Sequence, residues 1–373
     1  MPEEWINNSL SSLRVLILTK TNTKTFVYLS GAFLVCFLVL VCMIKKNLTY
    51  VDYNVSLSPI RALPLTGYIV YDCDDEHPGD CGGWSDRMSG MFSAYVISVI
   101  LRKHFMIKHT RSVNLTDFLI PNTFDWKHNS SILKGRSFDY HDFFCQTPLV
   151  IQKQNLTGLH ALFSKDVNFV RMNWDYTEHF RKFLGLKNVI PWVLKLHFAD
   201  IYLKFFQTLF KPTKTIYERV NKITQSEDKL VCAHIRLGDA LDRTSENQLE
   251  TILSFLRSIN DTQNRIFIAT DSQMVHDRTR GMFTNLLESE GQSLHIDHYG
   301  GNDIAEGYLK VVVDFMVLSK CDTLVLTTSG FGVMSSYLNT NVTNLYCLTT
   351  HEVVPCSRYS VHNYFSHEIL SPF

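Results

Sequence analysis

The sequence predicts an α/β protein of two Rossmann-like domains, preceded by one N-terminal transmembrane helix. Three observations carry this. Short apolar runs rich in Val, Ile and Leu alternate with amphipathic helical runs through the second half, the pattern of a parallel, doubly wound sheet. A strand, a Gly-rich loop, a helix and a second strand open the folded body between Thr66 and Lys108. Phe26–Ile44 is a run of 19 residues without a charge.

Composition sets the outer limits. Lys and Arg number 36, as do Asp and Glu, and this balance excludes a nucleic-acid binder with its basic stripe. With 45% hydrophobic and 19% charged residues over 373 positions, the chain has the apolar mass for a sizeable core, which excludes wholesale disorder.

Residues 1–25 read as a cytosolic tail, 26–44 as the span and 45–64 as a short polar stem. As a helix the span is about 28 Å long, close to the ~30 Å hydrocarbon core, and it is apolar on every side. It is longer than the apolar stretch of a signal peptide. Met43-Ile44-Lys45-Lys46 follows it rather than a small-x-small cleavage site, so it reads as an uncleaved signal-anchor. Beyond it lie Asn-x-Ser/Thr sequons at Asn47, Asn54, Asn114, Asn129, Asn155, Asn260 and Asn341. Asn47 is too near the membrane to be a good acceptor. The other six are glycosylation candidates and place the body in the lumen, a single-pass type II arrangement. Seven cysteines also follow the span. Cys73 with Cys81, and Cys347 with Cys356, are close enough to close short disulfide loops. The odd count leaves at least one thiol free or paired with another chain, which allows a homodimer.

The body divides at 225/226 into an N-terminal domain (65–225) and a C-terminal domain (226–373). In the first, Thr66–Tyr71 reads as a strand, Met88–Lys103 as a helix and Phe105–Lys108 as a strand; 110–160 read as irregular and 161–222 as mostly helical, with Leu194–Phe206 amphipathic. In the second, strands are expected at Leu230–Arg236, Arg265–Thr270, Ser293–His298, Thr323–Thr327 and Asn344–Leu348. Helices are expected at Leu249–Ile259, Phe283–Glu290, Tyr308–Lys320 and Gly332–Leu338. In such sheets ligands bind beyond the carboxyl ends of the strands.

Four motifs sit at those ends. His234-Ile-Arg236-Leu-Gly238-Asp239 follows the strand LVCA. An arginine there offers a planar fork to a phosphate, Gly238 permits a tight turn, and Asp239 can lock the loop. Thr327-Thr-Ser329-Gly330-Phe331-Gly332 joins a strand to a helix N-terminus, where backbone N–H groups meet anions; plain capping by Ser329 or Thr328 is the simpler alternative. Asp271 ends the strand RIFIAT, suited to a ribose or base, or to capping the next helix. Cys81-Gly82-Gly83-Trp84-Ser85-Asp86-Arg87 opens the first helix. Its glycines allow close backbone approach and Asp86 and Arg87 can face the second domain, against the alternative of a capped, disulfide-pinned helix start.

These motifs occur in one order: Gly-Gly-x-x-Asp-Arg, H-x-R-x-G-D, A-T-D, D-F-x-x-L-S-x-C-D (Asp314–Asp322) and S-G-F-G. Over roughly 65–105 and 229–340 the chain resembles the GDP-fucose-dependent fucosyltransferases of the α1,2, α1,6 and protein O-fucosyltransferase superfamily. Its first loop is closest to the wall-polysaccharide type. The resemblance implies a GT-B fold, an inverting transfer of fucose from GDP-fucose to a glycan or glycoprotein, Golgi residence, and no metal or other cofactor. It implies that Arg236 neutralises the β-phosphate, helped by Ser329 and the backbone of Gly330 and Phe331. Asp271 is implied to hold guanine or ribose. His234, Gly238, Asp239, Gly83 and Arg87 complete the donor site, with Arg236 and Asp86 as catalytic candidates. Two rival readings stand beside it. In one, Asp72-Cys73-Asp74 is the D-x-D of a metal-dependent GT-A glycosyltransferase; in the other, the chain is a non-catalytic, membrane-anchored glycan-binding protein.

Overall fold

The computed structural model describes residues 65–77, 79–144, 148–181, 196–238, 244–293, 296 and 304–365. The expected tail, span and stem, together with Asn54, Cys145 and Asp239, lie outside them. Among the described residues no helix is long and apolar enough to cross a membrane. The chain divides after Pro59, and everything below belongs to the unit Ile60–Phe373.

The elements of the N-terminal half are β1 (Tyr68–Cys73), α1 (Trp84–Leu101), β2 (His104–His109), β3 (Leu119–Pro121), α2 (Ser130–Leu133), β4 (Phe138–Asp142), α3 (Pro148–Gln152), α4 (Leu156–Leu162), β5 (Val167–Arg171), α5 (Thr177–Arg181), α6 (Phe198–Leu209), β6 (Phe210–Pro212) and α7 (Lys214–Thr224). Four strands form a parallel sheet in the order β2-β1-β5-β4. The sequence reading had no strand at β4 and placed β5 in a helical region. β5 is short, and its second residue is the polar Asn168, which hides the strand's apolar pattern. The fully buried Asn168 amide donates to the carbonyl of Lys165 at 2.8 Å, so its burial is compensated. Helix α1 is buried on most of its circumference because it lies between the sheet and other helices. Gly90 makes that possible, since a Cβ there would collide with the carbonyl oxygen of Met172.

The C-terminal half holds β7 (Lys229–Ile235), α8 (Glu246–Ile259), β8 (Asn264–Thr270), α9 (Gln273–Arg280), β9 (Leu286–Leu287), α10 (Ile304–Leu318), β10 (Thr323–Leu326), α11 (Gly330–Leu338), β11 (Asn344–Leu348) and β12 (Val353–Cys356). The sheet order is β12-β11-β10-β7-β8-β9, parallel except for β12. Strands buried on both faces carry apolar side chains on each. Val231, Ala233 and Ile235 of β7 meet Leu249, Ile252, Leu253 and Leu256 of α8, a stripe at i, i+3, i+4 and i+7. Each such side chain contributes about 1.5–3 kcal/mol on burial. A capping box of Ser245 and Gln248 starts α8. On the opposite face of β7, Cys232 is bonded to Cys321 just past α10, a disulfide the sequence reading did not contain. The two short loops close as expected, Cys73–Cys81 and Cys347–Cys356.

Two expected elements differ. Phe283–Glu290 is not a helix. Its apolar spacing fits one, but Leu286 and Leu287 pair with Ile266 and Phe267 of β8, and strand pairing prevails over the local pattern. The helix there is α9, earlier in the chain. Ser293 and Ile296, the described residues of the expected strand Ser293–His298, lie outside any strand. Helix α7 precedes the 225/226 boundary yet meets the C-terminal half, through Arg219 to Glu306 (3.2 Å) and Lys222 to Glu290 (2.7 Å). Aromatic contacts of Tyr337 in α11 with Phe198 and Tyr202 in α6 also join the halves.

Candidate active site

The site is built at the carboxyl ends of β7, β8 and β10. Side chains alternate along a strand, so Cys232 and His234 share the face of β7 opposite the α8 core. The chain then leaves the sheet at Arg236. Three bonds hold the departing loop to β8: the Asp271 carboxylate accepts the backbone N–H of Leu237 (2.9 Å), that of Gly238 (2.9 Å), and the Nη1 of Arg236 (2.7 Å). Gly238 has φ +22°, and a Cβ on it would press on the Arg236 guanidinium at 2.7 Å from Nε. From β10, the Thr327 hydroxyl accepts the N–H of Arg236 (2.9 Å) and donates to the carbonyl of His234 (3.1 Å). Arg236 is thus fixed at its backbone by one neighbouring strand and at its side chain by the other. It keeps 20% of its side-chain surface exposed, and Asp271 keeps 14%.

His234 is buried, and burial pushes its imidazole down to about pKa 4; Asp271 opposes this and Arg236 reinforces it. The ring is therefore neutral at physiological pH. It packs on Phe331 (centroids 5.1 Å apart) and against Gly332, where a Cβ would come within 2.9 Å of Nδ1. Ser329 caps α11, its hydroxyl accepting the N–H of Phe331 at 3.3 Å, while Gly330 is buried in the first turn. This is the simpler alternative for Ser329, and it leaves the α11 N-terminus beside the Arg236 loop.

The Gly-Gly-Trp-Ser-Asp-Arg start of α1 shows the capped, disulfide-pinned geometry. Asp86 turns back on its own helix, its Oδ2 accepting the N–H of Gly83 at 2.7 Å. Arg87 does reach the second half, but as a buried tie and not as an open ligand. Its Nε donates to the carbonyl of Gly82 (2.8 Å), and its Nη1 lies 3.1 Å from His109 Nε2 and 3.2 Å from the Tyr308 hydroxyl of α10. Burial, then the Arg87 charge, hold His109 down to about pKa 3, so it is a neutral acceptor. A chain of ring contacts links the two motifs: His234 to Phe331, Phe331 to Phe315 (5.4 Å), Phe315 to Trp84 (5.9 Å), Trp84 to Tyr308 (5.9 Å).

Sequence reasoning missed Thr327, Tyr308 and His109. Thr327 stood inside a motif already singled out; the two others carry no local signal, because Tyr308 meets Arg87 and His109 across 221 and 199 residues and His109 meets Arg87 across 22. Nor did it foresee that Asp271 would grip the Arg236 loop. The D-x-D pair belongs to the first sheet. Asp72 is the penultimate residue of β1 with its side chain buried, and burial and then Asp74 push it up to about pKa 6. Asp74 is also raised by burial, but hydrogen bonds from Lys108 and His77 outweigh this and hold it at about 2.

No family model and no curated protein matches the sequence. Solved structures do. A mutant of FUT1 from Arabidopsis thaliana in complex with GDP aligns with TM-score 0.53 and 12% identity, over 80% of this chain and 73% of that one. The fold is similar to that of FUT1. Weaker likenesses are the fucosyltransferase NodZ from Bradyrhizobium (TM-score 0.46, 13% identity, 79% of this chain and 99% of that one) and POFUT1 in complex with GDP (0.41, 11%, 74% and 95%). The likeness to FUT1 is one of architecture, and it agrees with the two parallel sheets derived above.

Proposed function

We propose that this chain is an inverting glycosyltransferase that moves fucose from GDP-fucose to a glycan or glycoprotein acceptor. The observation that carries the reading is Arg236, held at a strand's carboxyl end by Asp271 and Thr327 beside the α11 N-terminus, in a fold like that of a GDP-bound FUT1. In the step, an acceptor hydroxyl oxygen attacks C1 of fucose. The bond from C1 to the β-phosphate oxygen breaks, its electron pair leaves with GDP, and the hydroxyl proton passes to a carboxylate or to solvent. Charge grows on the diphosphate as that bond breaks. A guanidinium already fixed in place stabilises the transition state more than the ground state and needs no reorganisation. The first turn of α11 supplies backbone N–H groups to the same anion. Neutral His234 adds no charge and serves as a packed wall.

We further propose a type II arrangement on Golgi membranes, with Phe26–Ile44 as the span and the body in the lumen. The uncharged run and the sequons support it, and Asn114, Asn129, Asn155 and Asn341 are exposed, whereas Asn260 is half-buried and accepts a bond from Asn285. The test of function is transfer by the full-length, detergent-solubilised protein with a panel of nucleotide sugars and mixed glycan acceptors. Release of GDP from GDP-fucose, dependent on acceptor, is expected; turnover only with a UDP-sugar, or with none, overturns the reading.

A further inference from the structure

We propose that Asp72, Asp74 and His77 form a binding site for a divalent cation of the first transition row, of the Zn²⁺ or Mn²⁺ kind. The proposal stands on the first sheet and does not rest on the fucosyl-transfer reading. One ligand atom from each residue lies within 4.8 Å of the others. The His77 Nδ1 is 3.0 Å from Asp72 Oδ2 and 3.0 Å from Asp74 Oδ1. Ligand bonds of about 2.1 Å, set at 90–110° around one ion, place neighbouring ligand atoms roughly 3.0–3.4 Å apart. The two separations to His77 already match that spacing.

The independent observation is Asp72 itself. Its side chain is wholly buried, yet neither carboxylate oxygen accepts a hydrogen bond from outside the cluster, and its close polar neighbour is His77 Nδ1 at 3.0 Å. Buried carboxylates are normally paired, hydrogen-bonded or bound to a metal. Two fixed positive charges, Lys108 and Arg171, act on Asp72 through space, but their hydrogen bonds go to other carboxylates: Lys108 bonds Asp74 Oδ2 and lies 2.8 Å from Glu76, and Arg171 bonds Asp142. Among the described residues, the ionisable group in direct contact with the Asp72 carboxylate is His77, itself one of the three ligands. Lys108 need not leave when a cation enters. It holds Asp74 by Oδ2 and leaves Oδ1 directed at the site, as an outer partner of a ligating carboxylate does.

The loop is shaped in advance. Cys73–Cys81 closes it, Asp74 Oδ1 accepts the N–H groups of Glu76 (3.2 Å) and His77 (3.0 Å), and the His77 ring stacks on Tyr140 at 4.3 Å. His77 keeps 39% of its side chain exposed, which provides a way in for the ion and for completing waters. Two carboxylates and one imidazole suit Mn²⁺ or Zn²⁺ better than an all-oxygen Ca²⁺ cage. The cation would fix the 73–81 loop that leads into Gly82 and Gly83, and so the start of α1.

The test uses full-length protein in detergent, stripped with chelator and dialysed. It is titrated with MnCl₂ while the paramagnetic signal of free Mn²⁺ is followed, then with ZnCl₂ as competitor. One equivalent per chain is expected, displaced by Zn²⁺, with a rise in Tm on binding. Asp72→Asn and His77→Ala should each weaken binding at least tenfold and abolish the Tm rise, while Glu76→Gln, on an exposed non-ligand, binds like the wild type. His77 is part-exposed, so His77→Ala keeps the question decidable if Asp72→Asn fails to fold. Absence of stoichiometric uptake, binding unchanged in His77→Ala, or equal uptake of Ca²⁺ by wild type and variants overturns the proposal.

Discussion

Replacing Asp271 by Asn separates two roles that the Arg236–Asp271 pair can play. The carboxylate makes three bonds: one to the Arg236 guanidinium and two to the N–H groups of Leu237 and Gly238. An amide keeps one acceptor oxygen, enough for Leu237, and turns its NH₂ toward two donors, Gly238 N–H and Arg236 Nη1. Two charge-assisted bonds are lost, each worth about 1.5–3 kcal/mol when buried. Both side chains are partly exposed, so solvent screening lowers the total to roughly 2–4 kcal/mol. If Asp271 positions Arg236 for the diphosphate, that loss appears in the transition state, as about a 30- to 1000-fold fall in kcat/KM for GDP-fucose. If Asp271 instead competes with the phosphate for Arg236, the variant binds donor more tightly and reacts no slower. The assay is initial transfer rate against GDP-fucose concentration, with thermal unfolding of the same samples. A rate at or above wild type in a folded variant refutes the positioning argument.

Three further outcomes follow from the geometry. Asp175 is buried, and burial raises its carboxyl to about pKa 6 against the hydrogen bonds from Thr177 and Tyr202. At this group the folded state holds a proton that the unfolded state has lost between about pH 4 and 6, so the contribution of Asp175 to stability slopes down by roughly 3 kcal/mol as pH rises through that window and is level above it. Asp175→Asn should remove that slope and raise Tm at pH 7 more than at pH 4.5; an equal change at both values counts against it. Removing the Cys232–Cys321 disulfide by paired Ala substitutions frees a loop of 89 residues in sequence separation, and chemical denaturation should register a loss of about 2–5 kcal/mol. Digestion with peptide-N-glycosidase should increase the electrophoretic mobility of protein made in a secretory cell, with Asn114, Asn129, Asn155 and Asn341 each contributing; unchanged mobility speaks against a lumenal body.

The C-terminal half was readable because its strands are uninterrupted apolar runs, as at LVCA before His234 and TLVL before Thr327. Local pattern and tertiary role coincide there. The N-terminal half was less readable where they part. β5, with Asn168 inside it, and the mostly polar β4, FDYHD, are strands because they pair with each other and β5 pairs with β1. In the site, the identity of the key loop was legible, but not its internal grammar. The sequence reading gave Asp271 to the ligand, yet the folded chain sets it against the Arg236 loop. Arg87 was read as facing the cleft, yet it is sealed between His109 and Tyr308. The first difference comes from the pairing of β7 with β8, which sets Asp271 against residues 236–238, and the second from the packing of α10 on the N-terminal half, which sets Tyr308 against Arg87. No spacing along the chain encodes such a meeting.

The most direct test of the central claim is a pair of measurements on Arg236→Ala and Arg236→Lys: thermal stability without ligand, and transfer rate with GDP-fucose. Arg236 lies at a loop with part of its surface exposed, so both variants should unfold within a few degrees of wild type. A lost bidentate contact to a desolvated diphosphate is worth roughly 2–5 kcal/mol, about 30- to several-thousand-fold in rate. Lys keeps the charge but not the planar fork, so it should restore little. A folded Arg236→Ala that transfers fucose at near the wild-type rate would contradict the account, and the loop from His234 to Gly238 would then be a surface turn and not a donor site.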